Sequence, residues 1–190
     1  MCSTINKMFI SKKQYLRQSK DLKLNLLCQQ KLLSIEGPQG SITYPLYAEF
    51  EYSKIERKLY ITQTFDDERK KAFFQMYQIL LTQSALGVLL GYRRQLNIVG
   101  IGYQVSIEEK ETSNFLIFRL GFSHQVNVEV PNYVSVSCPK PRVLLLKGIN
   151  LQKLHNFAAV LRRLKLPSAY KEKGIYYLGE TVSLKQGKKT

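Results

Sequence analysis

The sequence predicts an α+β fold made of two tandem, similar domains, each an antiparallel sheet packed against a helix. Most of the chain alternates apolar and polar residues with period two, as half-buried strands do. Each half then ends with one segment in which apolar residues recur at helical spacing. The segment Leu33–Gly37 is also echoed by Leu96–Gly100, since both read Leu-x-Ile-x-Gly. A block of strands closed by one helix, occurring twice, indicates two such domains.

The first half contains several strand regions followed by one helix. Strands are predicted at residues 22–26, 32–35, 42–52 and 55–62. Gly37–Gly40 supply a turn between the second and third regions. The helix is predicted to begin near Thr64, with acidic residues in its first turn, and to end at Gly87 and Gly91.

The second half follows the same plan. After the segment at Leu96–Gly100, strands are predicted at residues 104–108, 115–121, 126–130, 134–138 and 143–147. Asn150 is a suitable N-cap for a final helix, and Pro167 is expected to end it. The helix carries one apolar stripe, formed by Leu151, Leu154, Phe157, Ala158, Leu161 and Leu164.

These elements divide the chain into four parts. Residues 1–19 form a basic N-terminal extension, residues 20–90 a first α+β domain, residues 91–182 a second, and residues 183–190 a basic C-terminal tail. The extension is basic and poor in acids, as mitochondrial leaders are, but we expect it to be retained in the protein.

Positive charge is concentrated at both ends of the chain. The 190 residues carry 29 Lys and Arg against 14 Asp and Glu, a formal net charge of +15. Residues 1–31 contribute +6 and residues 151–190 contribute +7, whereas the 119 residues between them contribute only +2. Such clustering attracts a polyanion, and nucleic acid is the leading partner class. Solvated basic tails and an anionic membrane surface are the alternatives.

Several function classes find no support in the sequence. No apolar run approaches the roughly 20 residues of a membrane span. The three cysteines, Cys2, Cys28 and Cys138, lack the spacing of a zinc site or a disulfide scaffold. Gly100-Ile101-Gly102 lacks the third glycine and the following helix of a dinucleotide site. We therefore predict no metal, no cofactor and no small-molecule substrate.

No catalytic constellation is visible either. His124 and His155 are the two histidines, and neither has a nearby acid with which to form a relay. A structural or RNA-facing role is predicted for each of them. The acids Glu108, Glu109 and Glu111 are interpreted as the surface of a hairpin. The protein is predicted not to be an enzyme.

The last 40 residues contain a basic and aromatic patch. Lysines and arginines neutralise phosphates, and tyrosines stack on unpaired bases. Gly174 would let a backbone approach a phosphate closely. A plain charged surface is the alternative interpretation. The candidate RNA-binding residues here are Arg162, Arg163, Lys165, Tyr170, Lys171, Lys173, Gly174, Lys185, Lys188 and Lys189, with Tyr176 and Tyr177 beside them; weaker candidates at the N-terminus are Lys7, Lys12, Lys13 and Arg17. The tail lysines flank Gly187 and are predicted to become ordered only on binding.

Seven short motifs, in order from residue 87 to residue 189, resemble the L-six family of large-ribosomal-subunit proteins. They are Gly87-Val88 with Gly91-Tyr92-Arg93, Leu96–Tyr103, Leu120–His124, Leu146–Asn150, Phe157–Ala159 with Arg162, Tyr170-Lys171 with Lys173–Ile175, and Gly187–Lys189. Each motif alone is weak, but seven in the right order are very specific. In the first half the similarity is thinner and rests on Glu36–Gly40 and the helix before Gly87.

The resemblance implies two tandem domains of one α+β fold that bind large-subunit rRNA near the sarcin–ricin loop and the stalk base. The second domain and the tail would supply most contacts, at the positions of Arg162, Tyr170, Lys171, Lys173 and Gly174. Neighbouring ribosomal proteins would be permanent partners, and translational GTPases would dock nearby. The family usually has Pro-Tyr-Lys-Gly-Lys-Gly where this chain has Ala169–Gly174, so that Glu172 replaces a glycine.

The sequence thus indicates a structural protein of the large ribosomal subunit. A free RNA-binding or RNA-remodelling module is the alternative. The Lys- and Tyr-rich composition, His155 and the segment Asn156–Ala159 resemble organellar members more than bacterial ones. We predict a mitochondrial location, with the plastid as second choice.

Overall fold

The structure is a computed structural model that describes residues 15–17, 23–27, 32–45, 49–53, 58–62, 68–109 and 114–186. The chain divides into two compact units, residues 1–89 and 90–190. Both units combine antiparallel sheets with one long helix, so the predicted α+β class is confirmed.

The described residues of the first unit form six strands and a helix. They are β1 (Tyr15–Arg17), β2 (Lys23–Leu27), β3 (Leu32–Gly37), β4 (Gly40–Pro45), β5 (Glu49–Ser53), β6 (Lys58–Thr62) and α1 (Glu68–Leu90). The strands form two three-stranded antiparallel sheets, ordered β2-β3-β4 and β1-β6-β5. The predicted strand region 42–52 is in fact parts of two strands. Strand β1 was not predicted, and it lies within the segment that sequence analysis assigned to the N-terminal extension.

Helix α1 is fastened to the β3–β4 hairpin by polar contacts. The Tyr77 hydroxyl donates to the carbonyl of Pro45 at 2.7 Å. The hydroxyls of Ser84 and Tyr44 are hydrogen-bonded at 2.8 Å. The amide of Gln39, in the hairpin turn, donates to the carbonyl of Val88 at 3.1 Å. The hairpin and the helix therefore form one packed body, with Leu33 and Ile35 of β3 fully buried.

Of the two glycines predicted to end α1, Gly91 does so and Gly87 does not. Gly87 is buried within the helix, which continues to Leu90 and is followed by Gly91 in a left-handed conformation (φ 71°). A single glycine costs a helix only about 1 kcal/mol, which tertiary packing readily offsets. Gly91 supplies the real stop.

In the second unit, seven strands and a helix are described. They are β7 (Tyr92–Val99), β8 (Gln104–Glu109), β9 (Asn114–Arg119), β10 (Val126–Glu129), β11 (Val134–Lys140), β12 (Val143–Gly148), α2 (Leu151–Arg163) and β13 (Gly174–Tyr177). A four-stranded antiparallel sheet has the order β11-β12-β7-β13, and a three-stranded sheet has the order β10-β9-β8. Strand β13 was not predicted, because residues 170–177 were interpreted only as part of the basic and aromatic patch.

One core joins the helix and both sheets of this unit. Alternate residues of β7 and β12 point to the same side as α2, as the period-two pattern requires. The helix contributes the buried Leu154, Phe157, Ala158 and Leu161, which confirms most of the predicted stripe. The fully buried core side chains are Leu96, Leu116, Phe118, Leu120, Leu144, Leu146, Leu154, Ala158, Leu161 and Ile175.

Candidate nucleic-acid interface

Helix α2 directs two of the candidate cations from its last turn. Its N-cap is Asn150, whose side chain accepts a hydrogen bond from the Lys153 amide at 3.1 Å. Arg162 and Arg163 lie in the last turn, where positive charge complements the helix dipole. The apolar stripe fixes the rotation of the helix and therefore the direction of these side chains. The helix ends with Leu164 as its C-cap, before Pro167.

The segment between α2 and β13 is a turn closed by backbone hydrogen bonds. The amide of Ser168 donates to the carbonyl of Lys173 at 3.1 Å, and the amide of Glu172 donates to the carbonyl of Ser168 at 3.1 Å. The amide of Ile175 donates to the carbonyl of Lys165 at 2.9 Å. We call residues 168–173 the basic turn. Its backbone is held in one conformation by the protein itself.

Three candidate residues lie on the basic turn. Tyr170 is 64% exposed, Lys171 is exposed, and Lys173 is half-buried. Two cations and an aromatic ring therefore lie on one short turn, and their binding of phosphates and bases stays a prediction.

Glu172 is accommodated on this turn through its backbone. Its φ of 53° is in the left-handed region, which a non-glycine residue seldom adopts. Its carbonyl accepts a hydrogen bond from the Tyr176 hydroxyl at 2.9 Å. The glycine that the family usually has at this position suits the same conformation, which gives a physical reason for the family pattern.

Gly174 has a packing role that sequence analysis did not anticipate. It is buried at the start of β13, and a Cβ there would lie 2.7 Å from the Cα and N of Pro167. Its φ is 153°. Gly174 is therefore required where the chain passes close to the backbone that follows α2. Contact of Gly174 with RNA remains a prediction.

The two tyrosines that follow Gly174 serve the fold. Tyr176 is 9% exposed and Tyr177 is half-buried, since both belong to β13. Burial, followed by the charges of Glu172 and Glu180, raises the pKa of Tyr176. The sequence placed both tyrosines beside the candidate RNA-binding residues, and the structure places them in β13, which pairs with β7.

Arg162 is engaged within the protein. Its guanidinium forms an ion pair with the carboxylate of Glu180 and lies 5.4 Å from the ring centre of Tyr177. The Arg94 guanidinium lies 5.0 Å from the same ring. Among the described residues, the buried Nε of Arg162 has no hydrogen-bond partner. Arg162 thus braces the end of α2 against the turn after β13.

Glu180 completes this cluster from the other side. One carboxylate oxygen accepts the amide hydrogen of Tyr177 at 3.0 Å, and the other accepts from Arg162. Burial by itself would raise the pKa of Glu180. The hydrogen bond from the Tyr177 amide and the hydrogen bond and charge of Arg162 outweigh it and lower the pKa.

Two further candidates meet on an exposed aromatic ring. The Lys165 ammonium lies 4.4 Å from the ring centre of Phe122. The ring of His124 lies 5.9 Å from that of Phe122, with 17° between their planes. Phe122 itself is 42% exposed. His124 and Lys165 are far apart in the sequence, and the fold brings both to the Phe122 ring.

The remaining candidates are distributed more widely. His155 is exposed on α2, and burial followed by the charge of Arg94 lowers its pKa. Arg17 is the last residue of β1. The amide of Lys185 donates to the carbonyl of Ala169 at 3.0 Å, so this part of the tail is tied to the basic turn, contrary to expectation. Five candidates lie outside the described residues: Lys7, Lys12, Lys13, Lys188 and Lys189.

Three further features of the described residues concern metal binding, membrane crossing and thiol reactivity. There, no group of three or more His, Cys, Asp or Glu side chains could hold a metal ion. Neither of the two described helices is long and apolar enough to cross a membrane. Cys138 is half-buried, and burial raises the pKa of its thiol, which keeps it in the less nucleophilic protonated form.

Sequence reasoning missed Phe122 and Glu180, and it did not anticipate the contacts of the Tyr177 ring with Arg162 and Arg94. The sequence contained a signal for Phe122, because it lies inside the Leu120–His124 motif, but His124 was the candidate named from that motif. Tyr177 and Glu180 carried no local signal, since their roles depend on the pairing of β13 with β7 and on the position of α2.

The fold and this surface define an α+β protein that presents a preformed basic turn, a class suited to binding nucleic acid. Residues 99–178 match the family described as Ribosomal protein L6. The chain is 35% identical over 158 residues to large ribosomal subunit protein uL6 of Zymomonas mobilis, covering 83% of this chain and 87% of that relative. It is 32% identical over 162 residues to the uL6 protein of Clostridioides difficile, covering 85% and 88%. The corresponding Thermus thermophilus protein is 35% identical over 156 residues, covering 82% and 84%. The chain belongs to the uL6 family of ribosomal proteins.

Proposed function

We propose that this protein is a structural constituent of the large ribosomal subunit that binds large-subunit rRNA and catalyses no reaction. The observation that carries this proposal is the similarity to uL6 proteins over more than four-fifths of the chain. The net charge of +15, concentrated at both ends, supports a polyanionic partner.

The basic turn is the main point of contact in this proposal. Lys171 and Lys173 neutralise phosphates, and Tyr170 stacks on a base or contacts a ribose hydroxyl. Three backbone hydrogen bonds hold residues 165–175 in place, so little conformational entropy is lost when RNA binds. Arg163 and Lys185 extend the positive surface on either side.

The position on the ribosome is part of the same proposal. By resemblance to the family, the protein binds near the sarcin–ricin loop and the stalk base. Neighbouring large-subunit proteins would contact it there, and translational GTPases would dock nearby. Its two predicted domains, residues 20–90 and 91–182, would brace RNA elements.

We further propose a mitochondrial ribosome as the location, with a plastid ribosome as second choice. The Lys- and Tyr-rich composition, His155 and the segment Asn156–Ala159 support an organellar member. Immunodetection of the protein in purified organelles, compared with the cytosolic fraction, tests this point. Recovery in the cytosolic fraction alone would overturn it.

Sedimentation tests the proposed function. A tagged chain expressed in its own cells should cosediment with the large ribosomal subunit in sucrose gradients and remain there after a high-salt wash. A variant with Lys171, Lys173 and Arg163 changed to Ala should be depleted from that peak. Recovery of the wild-type chain only in light fractions would favour a free RNA-binding module instead.

A further inference from the structure

Phe122, His124 and Lys165 form an aromatic platform beyond the C-terminal end of α2. The ring of His124 runs nearly parallel to that of Phe122, with 5.9 Å between centres, which is an offset stack. The ammonium of Lys165 lies 4.4 Å from the centre of the Phe122 ring. Both rings belong to exposed residues, with Phe122 42% exposed.

The loop that carries these rings is anchored in the core. Gly121 has a φ of 71°, and a Cβ there would lie 2.9 Å from Cε1 of Tyr103, which is 7% exposed. Only glycine combines this backbone conformation with such close packing. The preceding Leu120 is fully buried. The platform is therefore held in position by its own unit rather than shaped by a partner.

We propose that this platform binds an unpaired RNA base by stacking, while Lys165 contacts a nearby phosphate. This inference rests on the proposed rRNA binding and adds a second contact point to the basic turn. Exposed aromatic rings backed by a cation recognise single-stranded nucleotides in many RNA-binding proteins, because every base has a stacking face. Two parallel rings with a cation combine both elements of that chemistry.

Stacking and phosphate contact have different salt dependences, and this difference tests the proposal. Affinity of the full chain for a large-subunit rRNA fragment containing the sarcin–ricin loop is measured at several salt concentrations. Phe122→Leu keeps the apolar bulk but removes the ring, and should weaken binding about 5- to 100-fold with an unchanged log–log salt slope. Lys165→Ala should reduce the magnitude of that slope by about 0.7–0.9. Phe122→Tyr should bind as the wild type does.

The chain offers a matched control near the other end of α2. The ammonium of Lys153 lies 5.3 Å from the ring centre of Tyr133, which is 49% exposed. This pair also combines a cation with an exposed ring but lacks the second parallel ring. Tyr133→Leu should leave affinity unchanged. Thermal unfolding of each variant verifies that it is folded.

Three results would overturn the proposal that this platform binds a base. The first is that folded Phe122→Leu binds the rRNA fragment as tightly as the wild-type chain does. Another is an equal loss from Tyr133→Leu. A third is failure of Phe122→Tyr to bind, since it keeps the ring. Absence of binding by the wild-type chain itself would instead reject the proposed function, and the platform with it.

Discussion

The carboxylate of Glu180 pairs with the guanidinium of Arg162, 18 residues earlier, and so fastens the last turn of α2 to the segment after β13. Both side chains are largely buried, with 29% and 22% exposure. A cation that the sequence suggested for RNA binding thus has a partner within the protein. Arg163, its neighbour, is exposed and provides a control for substitutions of Arg162.

We expect Arg162→Met to destabilise the protein more than Arg163→Met. The first substitution leaves the Glu180 carboxylate without its charged partner and should lower the free energy of unfolding by about 1–3 kcal/mol. The second changes an exposed residue and should stay within about 0.5 kcal/mol. Urea denaturation measures both. Since each variant loses one positive charge, equal stabilities would contradict a structural role for Arg162.

Glu180 should make stability depend on pH in the acid range. Its pKa is lowered in the folded protein, so its contribution is fully present above the unfolded-state pKa and is lost as pH falls through the folded-state value. We expect wild type to exceed Glu180→Gln in stability at neutral pH, and this difference to shrink at pH values below the ordinary carboxyl pKa of 4.5. Denaturation of both proteins across pH measures it. A constant difference would argue against the ion pair.

Lys171 and Lys173 should matter more for rRNA binding than Lys188 and Lys189. The basic turn is held by backbone hydrogen bonds, whereas the lysines after Gly187 are predicted from sequence to become ordered on binding, which costs about 1–2 kcal/mol per residue. Changing either pair to Ala removes two positive charges. Filter binding at several salt concentrations compares them, and each lost phosphate contact should reduce the slope magnitude by about 0.7–0.9. A larger loss from the tail pair would favour a tail threaded into RNA.

Glu172→Gly should improve both stability and rRNA affinity. A non-glycine residue in the left-handed region costs about 1–2 kcal/mol of stability, which the substitution removes. Glycine makes the unfolded chain more flexible, which reduces this gain by about 0.4–1 kcal/mol. Removal of a negative charge beside Lys171 and Lys173 should strengthen phosphate binding. Glu172→Gln is the control, since it should raise affinity without the gain in stability. Lower thermal stability of the glycine variant would contradict the backbone argument.

Gly174→Ala should be more damaging than Gly179→Ala. Both glycines have positive φ, 153° and 80°, but only at Gly174 would a Cβ meet backbone atoms of Pro167. The conformation alone costs about 1–3 kcal/mol, and the contact adds to this at Gly174. Gly179 has open space around the Cβ position. Thermal unfolding ranks the two variants, and equal effects would show that the close approach is unimportant.

Periodic elements were the part of the fold most accessible to sequence reasoning. The strands of the second unit and the stripe of α2 were predicted to within a few residues, because hydrophobic alternation and helical spacing are local properties. Of the two glycines predicted to end α1, only Gly91 does so, and β13 was not predicted. In both cases tertiary packing outweighed the local signal: Gly87 is buried in α1, and β13 pairs with β7.

That the two halves of the chain superpose as copies of one fold stays a prediction. The echo of Leu33–Gly37 in Leu96–Gly100 corresponds to β3 and β7, each an inner strand of its own sheet. Superposition of residues 20–90 on residues 91–182 is the comparison that would decide it.

The sequence by itself determined the α+β class, the concentration of positive charge at the two ends and the resemblance to the L-six family, because composition, period and motif order are properties of the chain. Only the tertiary structure decided which charged and aromatic side chains are available for contact with RNA. It pairs Arg162 with Glu180, buries Tyr176, leaves Tyr170 exposed and brings Lys165 to Phe122. The physical reason is that availability depends on contacts between residues distant in sequence, and these form only when α2 and β13 pack against β7.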